Sequence, residues 1–314
     1  MTRSHHNIPA SVYNRLLDLS RKQGEDFQFF LQRYAAERFL YRLGNSPHRN
    51  RYVLKGAMLF VLWSGTIYRP TRDLDFTGYD ENDPETVLSC FREVCAQTVP
   101  EDGITFDPKT LSVEPIRDNS EYHGFRLKFQ AFLDSARIPM QVDVGLGDAI
   151  EPGVVEVGYP TFFKNSPAPK IRAYPTEAVV AEKLHALVKL GELNSRLKDF
   201  YDLYVIAKEF TFEGSRLSRA ISATFERRRT DITLELPIAL TSRFFEDEAR
   251  ATQWRSHLSR NSLRFAPSDF GIVSETLRDF LVPIWEALSR NDPFKGRWSP
   301  TEKWQQKRPI EEFP

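Results

Sequence analysis

The hydrophobic and polar positions of this chain follow a helical period at its start. Apolar residues recur every three or four positions over 12–19 and again over 27–34, which is the spacing of helices with one buried face. Gly44 and Pro47 then interrupt the pattern as stop signals. We therefore expect residues 1–48 to form N-terminal helices that pack on the segment after them.

From residue 49 the pattern changes to short segments typical of an α/β unit. "RYVLKG" predicts a strand that turns at Gly56, and an apolar helix follows over 57–63. "RDLDFTG" predicts a second strand, and a helix is expected around 84–98. The alternating runs "FRLKFQAFL" and "IPMQVDVGLG" predict two paired strands. These segments together predict an α/β domain over residues 49–170.

Prolines interrupt the pattern after that domain, and helical spacing then returns. The proline-rich stretch predicts a linker or long turns that hold a domain boundary. Five helical segments follow: "YPTEAVVAEKLHALVKLG", "SRLKDFYDLYVIAKEF", "GSRLSRAISATFERR", "PIALTSRFFEDEARATQWRSHL" (237–258) and "FGIVSETLRDFLVPIWEAL". We expect a helical domain over 171–291 and an irregular tail over 292–314. The prolines are Pro152, Pro160, Pro167, Pro169 and Pro175.

Composition narrows the class of protein and its location. The chain has 314 residues, 41% of them hydrophobic, which is enough for a packed core. It has 43 basic and 43 acidic residues, so its net charge of zero argues against nonspecific binding along nucleic acid. Cys90 and Cys95 are too few for a disulfide framework or a four-cysteine zinc site. No apolar stretch has the length of a signal peptide core or a membrane span. We expect a cytoplasmic protein without a membrane partner.

Two acids one residue apart are the first candidates for chemistry. If Leu74 and Phe76 of "RDLDFTG" face a core, the period of two places Asp73 and Asp75 together on the opposite face. Like charges so placed repel unless a cation lies between them. The alternative is a turn with a salt bridge to a neighbouring arginine.

A glycine turn and a third acid extend this pattern. Gly56 lies at the strand-to-helix turn, where glycine lets the backbone approach a ligand closely and a helix N-terminus favours phosphate. Asp143 stands alone among apolar neighbours in "MQVDVGLGD", although it could instead cap a turn. Three carboxylates on adjacent strands beside such a turn would hold one or two Mg²⁺ ions, or Mn²⁺, together with a nucleoside triphosphate. This is the chemistry of nucleotidyl transfer.

The ordered set of motifs resembles a known family. "LKGAMLF", "RPTRDLDF", "QVDVGLGD", "YPTEAVVAEKLHALV" and "SRLKDFYDLY" resemble the polymerase β-like nucleotidyltransferases and, more closely, the AbiEii/AbiGii toxin family, over about residues 8–290. The resemblance implies a mixed sheet with helices followed by a C-terminal helical domain. The chain departs from the general pattern at Ala57, where Ser or Gly is usual, and in the long spacer between Gly56 and Asp73.

The resemblance also implies roles for single residues of the first domain. It makes Asp73 and Asp75 metal ligands and Asp143 the third acid. Thr71 falls where some relatives carry a Ser that can be modified. The residues expected to bind the nucleotide are Lys55, Gly56, Ala57, Thr71, Arg72, Lys183 and Arg196.

In the helical domain the resemblance implies a catalytic lysine and two acids. Lys183 in "AEKLHAL" matches the catalytic lysine, whose ammonium could reach the triphosphate. Asp199 and Asp202 match the acids of "KDFYDLY", of which one is important for activity. From the residues alone, Lys183 could be a solvated helix residue, Arg196 could form an i, i+3 ion pair with Asp199, and Asp202 could hold two helices together.

The function implied is that of a toxin in a toxin–antitoxin or phage-defence system. We expect Mg²⁺-dependent transfer of a nucleoside monophosphate from an NTP, with the tRNA 3′ acceptor end as the expected target and a block of translation as the result. A cognate antitoxin encoded next to the gene is the expected partner. Two alternatives stay open: transfer to a protein hydroxyl or a small molecule such as an aminoglycoside, and a weakly active or inactive nucleotide- or antitoxin-binding module, which Ala57 favours.

Overall fold

The protein is described here by a computed structural model that covers residues 7–79, 83–116 and 124–305. The chain divides into two compact units. The first unit runs to Gly147 and includes residues 155–173, and the second comprises residues 148–154 and the chain from Tyr174 onward.

Two long helices open the first unit, as the sequence predicts. The Asn7 side chain accepts a hydrogen bond from the Ala10 N–H, and Asp26 accepts one from Gln28, so each helix begins at a side-chain cap. Gly24 ends the first helix with a φ of 67°. The four helices of this unit in the described ranges are α1 (Ile8–Gln23), α2 (Phe27–Gly44), α3 (Met58–Ser64) and α4 (Pro84–Ala96).

A seven-stranded mixed sheet forms the rest of the unit, with the order β3-β4-β5-β2-β1-β7-β6. Its strands are β1 (Tyr52–Lys55), β2 (Asp73–Gly78), β3 (Ile104–Ile116), β4 (Gly124–Leu133), β5 (Ala136–Leu146), β6 (Val155–Gly158) and β7 (Lys170–Ala173). Strand β2 runs parallel to β5 and β1 runs parallel to β7, while the other neighbours are antiparallel. The predicted strand, turn and helix around Gly56 and the pairing of β4 with β5 are confirmed.

The prediction of a linker or long turns over the proline-rich stretch is wrong in part. Residues 155–158 and 170–173 form β6 and β7, and β7 joins the sheet where Ala173 pairs with Leu54. Pro160, Pro167 and Pro169 all lie outside the two strands, so no ladder hydrogen bond is lost. Each strand has four residues, which is too short for an alternation to be visible in the sequence.

The second unit is mostly helical. Its predicted apolar stripes are buried: Val180 and Leu184 on one helix and Phe200 and Leu203 on the next are 0% exposed. The helices are α5 (Thr176–Leu190), α6 (Leu197–Glu209), α7 (Gly214–Arg227), α8 (Ser242–Phe245), α9 (Glu248–Arg260) and α10 (Phe270–Ser289), with short 3₁₀ turns at Gly191–Leu193 and Ile238–Leu240. The segment 237–258, predicted as a single helix, is divided because Asp247 caps a new helix by accepting from the Arg250 N–H at 2.9 Å.

The tail predicted to be irregular contains two strands. Strands β9 (Arg297–Ser299) and β10 (Lys303–Gln305) join β8 (Phe212–Glu213) in a three-stranded sheet. Trp298 is 2% exposed, and its indole N–H donates to the Ala207 carbonyl at 2.9 Å. Burial of this aromatic ring fixes the tail, although three-residue strands carry no readable periodicity. Across the described parts of both units, no helix has the length and hydropathy that crossing a membrane requires.

Candidate active site

The two acids of β2 lie on the same side of the sheet. Leu74 and Phe76 are 0% exposed, whereas Asp73 and Asp75 are half-buried on the other face. This is the arrangement that the period of two predicts. The pair of carboxylates is therefore a consequence of strand geometry, with the apolar residues between them supplying the burial.

The register of four strands places charged residues in one row. Lys55 pairs with Asp75 across β1 and β2, Asp75 pairs with Asp143 across β2 and β5, and Asp143 pairs with Arg126 across β5 and β4. Residues paired in this way point to the same face of a sheet. In this row two carboxylates, Asp75 and Asp143, lie between two cations, Lys55 and Arg126. Asp143 therefore lies inside a strand rather than in a turn.

Gly56 is required by the close approach of Asp75. Its φ is 76°, a conformation that residues with a Cβ rarely adopt. A Cβ built at this position would lie 2.1 Å from Oδ2 of Asp75 and 2.8 Å from its Cγ. The carboxylate thus lies directly against the turn, which explains why a glycine stands between strand β1 and helix α3.

Arg126 binds the third acid through two hydrogen bonds. Its Nε donates to Oδ1 of Asp143 at 2.8 Å, and a terminal nitrogen donates to Oδ2 at 2.6 Å. The Gln141 amide donates to the same Oδ1 at 3.3 Å. The hydrogen bonds from Arg126 to Asp143 raise the pKa of the guanidinium above its usual value. Sequence reasoning missed Arg126, although the alternation of "FRLKFQAFL" places it on the polar face of a strand predicted to pair with "IPMQVDVGLG".

Five of the residues expected to bind the nucleotide lie in the first unit. Ala57 and Thr71 line one small cavity together with Arg33. The Thr71 hydroxyl donates to the Asp73 carbonyl at 3.4 Å, while Arg72 is exposed. Ala57 is the N-cap residue of α3 and makes no side-chain cap hydrogen bond. Lys55 and Gly56 complete the group at the end of β1.

The carboxylates have suitable chemistry for a divalent metal but are not gathered into a complete ligand set. In the described ranges, no group of three or more His, Cys, Asp or Glu side chains is arranged to hold a metal ion. Asp143 binds Arg126, whereas Asp73 and Asp75 share a face beside Gly56. Carboxylate oxygens are the hard donors that Mg²⁺ and Mn²⁺ prefer, so the donor chemistry fits either ion. The charge of Asp143 is thus compensated by Arg126 within the same chain.

In the second unit, Lys183 is held by the two acids of the later motif. Its ammonium lies 2.9 Å from Oδ1 of Asp199 and 2.7 Å from Oδ2 of Asp202. Both aspartate side chains are 1% exposed and that of Lys183 is 13% exposed, so the lysine is not a solvated helix residue. Arg196 also contacts Asp199, at 2.7 Å, which is the i, i+3 ion pair considered from the sequence. These contacts join α5 to α6.

A second polar network lies beside Lys183 on α5 and was not found from the sequence. A terminal nitrogen of Arg228, the residue that ends α7, lies 3.2 Å from Asp148 and 3.3 Å from Glu182. The same guanidinium donates to Nδ1 of His185 at 3.2 Å, and Nε2 of His185 lies 2.8 Å from the Thr230 hydroxyl. Burial and the neighbouring Arg228 charge lower the pKa of His185 to about 4. Arg228 thus anchors α5 through Glu182 and His185.

Two solved structures are similar to this protein at low sequence identity. The structure is similar to that of JHP933 from Helicobacter pylori, with 15% sequence identity, 81% of this chain and 90% of that chain covered, and a TM-score of 0.46. A candidate nucleotidyltransferase from the same organism gives 14% identity, 81% and 93% coverage, and a TM-score of 0.46. A comparison with curated proteins gives no match.

The family assignment comes from the sequence model of one protein family. The model described as "Nucleotidyl transferase AbiEii toxin, Type IV TA system" matches residues 38–276, which is well over half of the chain. The matched region includes the turn at Gly56 and all of the acids and the lysine proposed for the site, which are Asp73, Asp75, Asp143, Lys183, Asp199 and Asp202. The chain therefore belongs to the AbiEii family of nucleotidyltransferase toxins of type IV toxin–antitoxin systems.

Proposed function

We propose that this protein transfers a nucleoside monophosphate from an NTP to the 3′ acceptor end of tRNA in a reaction that requires Mg²⁺ or Mn²⁺, and so stops translation. The family supplies the general activity and implies a cognate antitoxin, which we propose is encoded beside the gene. The metal, the acceptor and the residue roles are part of this proposal. Two acceptors other than tRNA, a protein hydroxyl and a small molecule, are outcomes of the test below.

The observation that carries this proposal is the contact between Asp75 and the Gly56 turn. The Asp75 carboxylate lies so close that a Cβ on residue 56 would meet its Oδ2 at 2.1 Å, and Asp73 shares the same face of β2. A backbone turn without a side chain permits close approach of a phosphate, and carboxylates beside it suit the metal that accompanies a triphosphate.

Each proposed role follows from the chemistry of the side chain. Asp73, Asp75 and, once released from Arg126, Asp143 would hold the divalent ion, which neutralises charge on the phosphates when bound. Asp143 is also proposed to orient the acceptor hydroxyl or accept its proton. The hydroxyl oxygen then forms a bond to the α-phosphorus as the bond to pyrophosphate breaks. Lys183 is proposed to bind a phosphate oxygen, because two buried acids fix its ammonium in one orientation.

The experiment is transfer of label from each of the four α-labelled NTPs, with total tRNA, a protein mixture and an aminoglycoside as separate acceptors. We expect label in tRNA, released by trimming of the 3′ end, and no label with Asp75→Asn. Asp134→Asn is the matched control, since Asp134 is exposed in the β4–β5 turn with a φ of 51° that Asn tolerates. Label only in protein or drug would replace the tRNA acceptor with one of those. Tight NTP binding without turnover in any arm would favour the binding module instead.

A further inference from the structure

The carboxylate of Asp143 is already occupied by a cation from its own chain. Both oxygens accept from Arg126, at 2.8 and 2.6 Å, and Gln141 adds a third donor to Oδ1 at 3.3 Å. Such a two-point contact between guanidinium and carboxylate is among the strongest hydrogen-bonded pairs in proteins. Asp143 is also the more buried partner, with 18% of its side chain exposed against 37% for Arg126.

The neighbours of Arg126 show that this contact is specific. Glu114 is the register partner of Arg126 on β3, but its carboxylate pairs with Lys128 at 2.5 Å. Among the described residues, Asp143 is the acid with which Arg126 forms an ion pair, and the charge of Asp73 adds to the field that holds the guanidinium. Arg126 thus forms its ion pair with Asp143 on β5 rather than with Glu114 on β3.

We propose that Arg126 is a resident counter-cation that competes with the divalent metal for Asp143. This inference rests on the proposed function, because it takes Asp143 as the third metal-binding acid. The guanidinium compensates the charge of the carboxylate and donates to both of its oxygens. A metal that takes both oxygens must therefore break two charge-assisted hydrogen bonds, and a metal on one oxygen meets repulsion from the adjacent cation. The free protein is therefore expected to bind metal weakly, and the phosphates of the NTP supply the additional ligands that favour exchange. The opposite possibility, that Arg126 holds Asp143 ready for the metal, predicts the reverse effect of removing it.

The test is Mn²⁺ binding measured by electron paramagnetic resonance on the full chain without nucleotide. We compare the wild type with Arg126→Gln, Arg126→Lys, Asp143→Asn and the double variant Arg126→Gln/Asp143→Asn. Lys128→Gln is the matched control, because Lys128 lies two residues away on the same face of β4 and pairs with Glu114 instead. Circular dichroism checks that each variant is folded.

We expect Arg126→Gln to bind Mn²⁺ at least about tenfold more tightly than the wild type, which corresponds to loss of a competing interaction of about 1.4 kcal/mol. Arg126→Lys should lie between the two, since an ammonium makes one contact where the guanidinium makes two. Lys128→Gln should match the wild type, and the double variant should lose the gain. Equal or weaker Mn²⁺ binding by folded Arg126→Gln would overturn the inference.

A further comparison separates this inference from the proposed function. If the wild type transfers nucleotide but Arg126→Gln gains no metal affinity, competition by Arg126 is refuted and the enzyme assignment stands. If Asp75→Asn and the wild type bind Mn²⁺ equally and no acceptor is labelled, the metal site itself is refuted and the inference falls with it. If Arg126→Gln does not fold, the Mn²⁺ affinity of Arg126→Lys decides instead. Tighter binding than the wild type supports the inference, and equal or weaker binding overturns it.

Discussion

Gly56 and Gly65 flank the same short helix with nearly the same backbone angle but in different surroundings. Their φ values are 76° and 70°, yet a Cβ at Gly56 would meet Asp75 at 2.1 Å while nothing lies within 4 Å at Gly65. Both Gly→Ala changes should cost about 1–2 kcal/mol of stability for the positive φ. Only Gly56→Ala must also displace the Asp75 carboxylate. We expect it to lose at least about tenfold in nucleotide transfer beyond Gly65→Ala, which corresponds to about 1.4 kcal/mol.

Activity and urea denaturation of the two glycine variants, measured side by side, check this prediction. Because both alanines adopt a positive φ, the cost of that conformation cancels when the two variants are compared. Equal activity of the two variants would show that the position of Asp75 against the turn does not matter for transfer.

His185 predicts a loss of stability at acidic pH. Burial first and the Arg228 charge second lower its pKa from 6.5 to about 4 in the folded protein. Below about pH 6.5 the unfolded chain binds a proton that the folded chain does not, so stability present above pH 6.5 falls as the pH approaches 4. Titration of His185 alone should lower the free energy of unfolding by about 2 kcal/mol at pH 5 relative to pH 7.5.

Urea denaturation of the wild type and His185→Asn over that pH range tests the effect. The other titrating groups are common to both proteins, so the difference in slope isolates the ring. Parallel pH profiles would contradict the assigned direction of the pKa.

The three acids Asp73, Asp75 and Asp143 show which features of the candidate site can be predicted from the sequence. Leu74 and Phe76 predicted the shared face of Asp73 and Asp75, because that inference needs only the period of one strand. The partner of Asp143 did not follow, since pairing with Arg126 depends on the register between β4 and β5. Register is set by the whole hairpin and is not visible in either strand separately.

Among the elements, long periodic segments were predictable, and so were β1 and α3, which the Gly56 turn separates. Strand β3 and the short strands β6 to β10 were not. Helices α1, α2, α5, α6 and α10 repeat their apolar positions over several turns. Strand β3 was missed because Pro108 and Pro115 interrupt it and its register shifts between Asp107 and Ser112. The short strands of four residues or fewer depend on tertiary pairing for their existence.

At the same scale, Lys183 links α5 to α6 through acids that are almost fully buried. Replacing it with Met removes the ammonium that faces both carboxylates, and breaking a buried ion pair costs about 3–5 kcal/mol. Lys183→Met/Asp202→Asn should recover part of that stability, because one buried charge is removed with its partner. Activity should not return, since the cation proposed to bind phosphate is still absent.

Chemical denaturation and transfer assays on the same samples separate the two roles. Lys189→Met is the control on the same helix, because Lys189 is exposed, and we expect a change within about 0.5 kcal/mol. A loss of less than about 1 kcal/mol for Lys183→Met would mean that the ion pairs do not hold the two helices together.

For the molecule as a whole, the balance of charge predicts that toxicity depends on catalysis rather than on general binding of nucleic acid. Equal numbers of acidic and basic residues, 43 each, give no net attraction to RNA, so overexpression alone should not sequester nucleic acid. If growth stops on expression, the arrest should therefore depend on the acids of the sheet.

Asp75→Asn should abolish growth arrest, whereas Asp134→Asn should not, although each removes one negative charge from the same unit. The two variants shift net charge equally, and only the first changes the carboxylate against Gly56. Growth curves after induction, with protein levels compared by immunoblot, provide the measurement. Arrest by both variants at equal expression would indicate toxicity through binding, because loss of the carboxylate would then have removed catalysis without relieving the cell.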